Sequence, residues 1–489
     1  MTSLKEKSFK GLFWDFTGRI GLQGVGFVVS IILARILAPE DFGLLAIITV
    51  FINLAAVLQD VGFSAALIQR SEVTESHYSA VFYMNVVMGI ILSILLFLIA
   101  PYLANVFGSL QLTNLTRLMS LSFIINSFGL VPRARLRRDM NFKIISVTNI
   151  LAASVSGVIA IYMAFYNYGV WSLAVQVITN QFFANVLLYC FYQYRINLVF
   201  NFDSIKELWN FSSRVFFSGF LDTLFLNVDA LIIGKALNTA TLGYYNRAKA
   251  LQSFAFSYTS ATLSSVLFPG LSTLQKDPER LKYAVIKIFH LLAFIAFFVC
   301  GLLFVISREL IVLLLSSKWE PSVIMFQILI IGSFAPIIGS LFYNTILGTG
   351  NADRYLTLNI TGKILLCIGF VAIFIYGIKV YLIIFITINI IIFFIGLVFV
   401  SQIINSQKEL YKIISKYIFV YILSIIFILF LKEWMIFKNL FIQLTISTII
   451  FSIAYFLLSI MFNYSGYQIF NLDVLRRLTD KLNFKLHVK

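Results

Sequence analysis

Apolar runs of about 20 residues recur from Phe27 to Phe462, interrupted by short breaks that carry most of the lysine and arginine. A run of that length, wound as a helix rising 1.5 Å per residue, crosses a hydrocarbon layer roughly 30 Å thick. Lipid offers no water to unpaired N–H and C=O groups, so such runs have to close their hydrogen bonds internally, as helices. The pattern predicts helices near 12–37, 43–67, 80–100, 113–132, 144–165 and 169–190, then near 210–237, 244–268, 285–306, 323–347, 355–378 and 380–401. A last pair is predicted near 417–431 and 440–462. The expected fold class is an all-α membrane protein of about fourteen transmembrane helices. No predicted connection exceeds about twenty residues, which leaves no extramembrane domain to carry separate chemistry.

Composition agrees with the pattern. Of the 489 residues, 60% are hydrophobic and 12% charged, where a soluble domain carries about 25% charged residues. The start, Met1 to Lys10, is basic like a signal peptide, but the apolar stretch runs on to Leu37 without a small-residue cleavage site and is expected to stay as the first helix. Cys190, Cys300 and Cys367 all lie inside apolar runs and are expected to serve packing, with no disulfide or metal framework. Neither a metal nor a cofactor is expected.

A net charge of +16 raises the question of nucleic acid, and the placement of the charge answers it. With a cytoplasmic N-terminus, 24 of the 37 basic residues fall on the inner side and only Arg308, Lys318, Lys379, Lys432 and Lys438 outside. That asymmetry is a topology signal of the positive-inside kind, with both termini in the cytoplasm. Nucleic acid is not expected as a partner.

The stretch from Leu33 to Leu44 can be laid on Ile233 to Tyr244 at a constant offset of 200 residues, matching Arg35 with Lys235, Leu37 with Leu237 and Gly43 with Gly243. The same register sets Ser64 on Ser264 and Leu67 on Leu267. Six predicted helices on each side of the offset give two repeats of equal orientation, related by an axis along the membrane normal. The expected organisation is a six-helix lobe over 1–200, a second over 201–405, an extra helix pair over 406–462 and a cytoplasmic amphipathic tail over 463–489. In that tail Ile469, Leu472, Leu475, Leu478 and Leu482 recur by threes and fours between Arg476, Arg477, Lys481 and Lys485, as in a helix lying on the inner membrane surface.

The segments LARILAPEDFGLLAIITVF (33–51), LQDVGFSAALIQR (58–70), LVPRARLRRDMNFK (130–143), NVDALIIGKALNTATLGYYNRAKAL (227–251) and LFPGLSTLQKDPERL (267–281) carry a family resemblance. In them the chain resembles the polysaccharide-transporter branch of the multidrug, oligosaccharidyl-lipid and polysaccharide flippase superfamily, specifically the Wzx-type O-antigen, colanic-acid and capsule flippases. The resemblance covers roughly residues 1 to 400. It implies a non-enzymatic flippase in the bacterial inner membrane. Its cargo would be an undecaprenyl-diphosphate-linked oligosaccharide for lipopolysaccharide, capsule or exopolysaccharide, carried from the cytoplasmic to the periplasmic leaflet by alternating access. The implied partners are that lipid-linked oligosaccharide, membrane lipid and other polysaccharide-assembly proteins. The extra helix pair would help to guide the lipid tail.

Ionisable residues inside spans are costly, roughly 2.5–3.5 kcal/mol each on insertion scales, and mark candidate sites. The span 210–237 holds Arg214, Asp222 and Asp229, the last two seven residues apart and so on one face. Asp15 and Arg19 stand four apart in the first span, Arg247 and Lys249 open the span at 244–268, and Lys363 lies within 355–378. A diphosphate is bound well by guanidinium groups with paired donors. Arg19 and Arg214 are therefore the first choice for the anion, with Arg247, Lys249 and Lys363 as further substrate-binding cations. The alternative for each is a structural ion pair. Asp222, Asp229, Asp60 and His290 are candidate counter-charges or ion-coupling groups, although a lone histidine or an aspartate at a helix end also serves as an ordinary hydrogen-bonded residue. Arg35, Arg117 and Lys235 read as snorkelling anchors. Gly18, Gly21, Gly24 and Gly26 have no preceding strand, so they read as helix-packing positions and not as a nucleotide loop.

Two rival functions remain open on the sequence. A multidrug exporter of the same superfamily would need an acidic cavity for cationic drugs, against the basic residues found in these spans. A polytopic glycan polymerase would need a sizeable outer loop or an acidic pair. Only Glu40 with Asp41 offers such a pair, in what reads as a helix-joining turn.

Overall fold

A computed structural model of the protein describes residues 4–195, 200–434 and 439–462, with the side chains of 4–9, 12, 255–269 and 434 left undescribed. The amphipathic tail expected from Tyr467 to Lys489 lies outside the described residues, as do the side chains of Ser264 and Leu267. All regular structure among the described residues is helical. In chain order the helices are α1 (Leu4–Ile36), α2 (Pro39–Asp60), α3 (Phe63–Gln69), α4 (Glu75–Phe107), α5 (Gln111–Arg138), α6 (Phe142–Phe165), α7 (Val170–Tyr192) and α8 (Phe202–Ala236). There follow α9 (Thr239–Thr273), α10 (Pro278–Val305), α11 (Ser307–Leu315), α12 (Pro321–Ile331), α13 (Phe334–Gly348), α14 (Ala352–Ile403), α15 (Gln407–Trp434) and α16 (Leu440–Met461). Twelve spans among the described residues are long and apolar enough to cross a membrane. The chain is thus an all-helical, multi-pass membrane protein.

Four predicted helices differ from the structure, each for a local reason. The helix expected over 43–67 is broken after Asp60, where Val61 (φ 48°) and Gly62 (φ 78°) both take the left-handed conformation. The chain restarts at once because the Asp60 carboxylate accepts from the Ser64 amide at 3.2 Å and from the Ser64 hydroxyl at 2.5 Å. Capping of this kind is worth about 1 kcal/mol. The helix expected over 323–347 is two pieces, α12 and α13, because Pro336 has no N–H to continue the ladder. Ile386 presses against Gly332 at the break, where an added Cβ would stand 2.2 Å from its Cγ2. The spans expected at 355–378 and 380–401 form one continuous run, α14, interrupted only at Gly377 (φ 75°, ψ −173°), a backbone geometry open to glycine.

Contacts divide the chain into two compact units, Met1–Asn246 and Arg247–Lys489. In the first, α4 packs along α5, α6 along α7, and α1 along α6. Small residues bring α1 and α6 together. A Cβ on Gly18 would lie 2.0 Å from Ser146 Oγ, one on Gly21 would lie 2.7 Å from Ile150 Cδ1, and Gly157 is pressed by Val29 at 2.5 Å. Gly24 and Gly26, expected to share that role, face nothing within 4 Å, so beyond Gly21 the small-residue contact passes to Gly157 of α6, which meets Val29. In the second unit α10 is central, packed on α13, α15 and α16 through buried Phe289, Phe297, Phe342, Phe451 and Tyr455. Cys300 is buried there, whereas Cys190 and Cys367 are exposed and do not serve the packing expected of them.

Candidate functional site

In the first unit the intramembrane charges are distributed over α1, α2 and α8. Arg19 Nε donates to Asp15 Oδ2 at 2.9 Å, and the arginine side chain is still 70% exposed. This is the i,i+4 pair of the sequence, and it leaves the far face of the guanidinium open. Arg214 is exposed on α8 and has no hydrogen-bond or ion-pair partner among the described residues. Asp222 is exposed two turns further along the same helix, about 12 Å away along the axis at 1.5 Å per residue, so the two do not pair through the helix.

Asp229 and Asp60 have partners within the unit. Asp229 is 4% exposed and accepts a hydrogen bond from the Tyr245 hydroxyl. Asp60 caps α3 through Ser64, as described above. In the second unit, His290 on α10 shares a hydrogen bond of 3.2 Å with the Tyr417 hydroxyl on α15, the ring edge-on to the tyrosine. Arg247 and Lys249 on α9 and Lys363 on α14 are half-buried. One turn beyond Lys249, the Gln252 amide donates to Ser333 Oγ at 2.8 Å, at the break between α12 and α13. The structure therefore joins Asp15 to Arg19, but no described contact gathers the candidate cations into one cluster.

Several polar residues that the sequence reading passed over link the spans of the first unit. Asn53 of α2 donates to Asn227 of α8 at 3.2 Å. Gln59, fully buried, donates to the Phe123 carbonyl at 2.7 Å and accepts from Asn126 at 3.2 Å. Arg133, counted among the inner-side charges, belongs to α5 and donates to Asn185 of α7 at 2.7 Å. The available signal was the amide itself: an Asn or Gln inside an apolar helix needs a partner, because an unpaired buried amide costs about 1–3 kcal/mol.

At the end of this unit where α4 and α8 begin, Glu207 of α8 accepts from Arg70 and lies 3.2 Å from His77 Nε2. Arg138 donates to the carbonyls of Leu67 (2.6 Å), Arg70 (2.6 Å) and Ser71 (2.7 Å), closing the end of α3. Arg135 pairs with Glu75 at 2.8 Å and lies over the Tyr78 ring. In the second unit Lys432, expected as an outer-loop charge, reaches Glu309 Oε1 and Oε2 at 2.8 and 3.0 Å, with Glu309 buried. No group of three or more His, Cys, Asp and Glu side chains arranged to hold a metal ion occurs among the described residues.

Comparison with known proteins fits an all-helical membrane chain with exposed arginines in its spans. The chain is 24% identical over 364 residues to the lipopolysaccharide biosynthesis protein WzxC of Escherichia coli K12, covering 73% of both chains. It is 29% identical over 273 residues to the succinoglycan biosynthesis transport protein ExoT of Rhizobium meliloti, covering 56% of this chain and 55% of that one. Its fold is similar to that of the lipid II flippase MurJ in an inward closed conformation, with a TM-score of 0.72 at 15% identity, covering 93% of this chain and 98% of the other. The model of one family, the polysaccharide biosynthesis proteins, matches residues 32–324, and the chain belongs to that family.

Proposed function

We propose that the protein is a flippase that carries an undecaprenyl-diphosphate-linked oligosaccharide from the cytoplasmic to the periplasmic leaflet of a bacterial inner membrane by alternating access. The observation that carries this reading is the combination of a polysaccharide biosynthesis family with a MurJ-like fold over nearly the whole chain. Both termini are taken as cytoplasmic from the distribution of lysine and arginine. The crossing number is taken as fourteen: α14 counts twice because of its break at Gly377, and α9, 35 residues long, adds one more to the twelve spans. The repeats over 1–200 and 201–405, the helix pair over 406–462 and the tail over 463–489 are kept as the working organisation, with other polysaccharide-assembly proteins as partners.

Sugars and a diphosphate cross hydrocarbon only where protein replaces their water, and the diphosphate adds about two negative charges that need donors. Arg214, exposed and without a described partner, and Arg19, exposed beyond its bond to Asp15, supply them on the inner side. Arg247, Lys249 and Lys363 act later in the passage. Asp222, exposed on α8, is assigned to weakening the anion's hold for release, and Asp229, Asp60 and His290 bond to Tyr245, Ser64 and Tyr417. These three are assigned to holding helices in place.

Deleting the gene should cause one lipid-linked glycan to accumulate on the inner leaflet, and re-expression should clear it. Replacing Arg19 and Arg214 together with Ala should abolish surface glycan at matched protein level, and Lys at both should rescue only partly, since it lacks the planar fork. Normal surface glycan from the double Ala variant would remove these two residues from the anion site.

A further inference from the structure

Three tight connections gather at one end of the second unit. They lead from α9 into α10 (274–277), from α13 into α14 (349–351) and from α14 into α15 (404–406). The chain of α14 turns back at Gly377, so its start and its end lie side by side, and Arg354 Nη1 donates to the Phe399 carbonyl at 3.2 Å. Among these helix ends lies a hollow of about 330 Å³ whose polar lining is Gln275, Thr349, Asn351, Arg354 and Gln402.

The hollow is built around a cation held in place. Arg354 is half-buried, and its guanidinium lies over the Phe399 ring, 5.5 Å from the centroid. The bond to the Phe399 carbonyl uses one N–H, and no other hydrogen bond or ion pair of this side chain occurs among the described residues. The acid nearest the hollow in the α9–α10 connection, Asp277, is taken up elsewhere: it caps α10 at the Arg280 amide (3.1 Å) and pairs with Arg280 Nε at 3.2 Å. Asn351 Nδ2 donates to Thr349 Oγ1 at 2.9 Å, which leaves the amide oxygen to accept, and Gln275 and Gln402 are exposed. A guanidinium with donors to spare suits a phosphate, and amides that both give and accept hydrogen bonds suit hydroxyl groups.

The surroundings set the hollow at the level of lipid headgroups. Membrane spans end here, and Tyr283 of α10 and Tyr411 of α15 stand exposed, as tyrosines do where hydrocarbon gives way to water. A second hollow of about 450 Å³ takes the next residues of the same helix ends, with Lys282 and Lys408 in its wall beside Glu409. Basic pockets at such helix ends are where anionic headgroups bind. We infer that the hollow at Arg354 holds the headgroup of an anionic membrane lipid of the phosphoglycerol class, with Arg354 on the phosphate and Gln275, Asn351 and Gln402 on the hydroxyls. Bound there, the headgroup ties the starts of α10 and α14 to the end of α14. The inference needs only a chain that spans a membrane and is independent of the cargo.

The test titrates the full chain in detergent with phosphatidylglycerol, phosphatidylcholine or soluble glycerol 3-phosphate and reads bound ligand by native mass spectrometry. Phosphatidylglycerol should bind about tenfold more tightly than phosphatidylcholine, whose choline lacks hydroxyls and brings a cation towards Arg354. Arg354→Gln should weaken phosphatidylglycerol about tenfold and erase that preference, with Arg354→Lys recovering part of it. Gln275→Ala together with Gln402→Ala changes only exposed side chains, so folding is not at issue, and should weaken phosphatidylglycerol about fivefold. Arg280→Gln, at the same end but outside the hollow, should change binding less than about twofold. Equal binding of the two lipids by the unaltered chain, or unaltered phosphatidylglycerol binding in Arg354→Gln or in the double glutamine variant, overturns the proposal. Glycerol 3-phosphate binding as tightly as phosphatidylglycerol would make the ligand a soluble phosphate ester and overturn the lipid assignment.

Discussion

The two units of the chain are held together in different ways. Within Met1–Asn246, helices meet through small residues and polar links: Gly18 on Ser146, Gly157 on Val29, Asn53 to Asn227, Gln59 to Asn126, and a charged cluster built from Arg70, Arg135, Arg138, Glu75 and Glu207. Within Arg247–Lys489, α10 is wrapped in aromatic rings, with Phe297 against Phe334, Tyr417 and Tyr421, and Phe451 against Phe298 and Tyr455. Lipid tails are as apolar as leucine, so a membrane protein cannot rely on expelling water to hold its helices together. The first unit answers with close backbone approach and directional bonds, the second with a large area of ring contact. A few directional bonds can be exchanged for others during a conformational cycle, whereas interlocked rings resist change. On that argument the first unit is expected to rearrange and the second to keep its shape.

The largest effect expected from this contrast is in the second unit. Phe297 is fully buried and its ring lies 4.6 Å from that of Phe334 and 5.1 Å from that of Tyr421. Phe297→Ala should cost about 3–5 kcal/mol, the usual range for removing a buried aromatic ring. In a unit of this size that corresponds to a fall in melting temperature of roughly 6–20 °C, read by thermal unfolding in detergent. A loss below about 1 kcal/mol would mean that the aromatic core relaxes easily and that the contrast is overdrawn.

A smaller loss is expected from Arg138. Its guanidinium serves three carbonyls at the end of α3, and hydrogen bonds to charged groups are worth about 1.5–3 kcal/mol. Arg138→Ala should destabilise by about 2–3 kcal/mol, since water at this helix end replaces part of what is lost. Arg138→Lys should recover less than half, because a single ammonium cannot span Leu67, Arg70 and Ser71 in one plane. Full recovery by lysine would show that charge alone matters at this helix end.

How much of this could be read in the sequence follows the same physics. The apolar runs and the alternation of lysine and arginine fixed the class, because insertion cost acts on every residue of a span. The equivalence of Gly43 with Gly243 was visible as an offset of 200, but the packing of Gly43 on Thr239 and of Gly243 on Pro39 was not, since it belongs to tertiary structure. The break at Gly62 was hidden because Val61 to Leu67 are apolar enough to continue a helix, and only the backbone angles and the Asp60 cap divide it. Asp229 and His290 stood out as charges in lipid. Their partners, Tyr245 and Tyr417, are ordinary aromatic residues in sequence, so a structural role could not be separated from a functional one. Arg133 and Lys432 were counted as loop charges because a linear count assigns helix ends by hydropathy, while in the fold both reach back to Asn185 and Glu309.

The smallest effect is expected where charge is most conspicuous. Arg70 and Glu207 form a close ion pair joining the end of α3 to α8, with His77 of α4 on the same carboxylate, and their side chains are 34% and 50% exposed. Exposed pairs contribute little, because water and salt screen the attraction and two long side chains lose freedom to make it. Glu207→Gln keeps the size and the accepting oxygen while removing the charge, so the melting temperature should fall by less than about 4 °C. The shift should shrink further at high salt, since the Debye length drops from about 10 Å at 0.1 M to 3 Å at 1 M. Transport should respond more than stability does. If the first unit rearranges by exchanging directional bonds, weakening the tie between α3 and α8 changes how often that exchange occurs, and surface glycan should change at least twofold at matched protein level. A large loss of stability with unaltered transport would reverse the assignment and make this charged end of the first unit its rigid part.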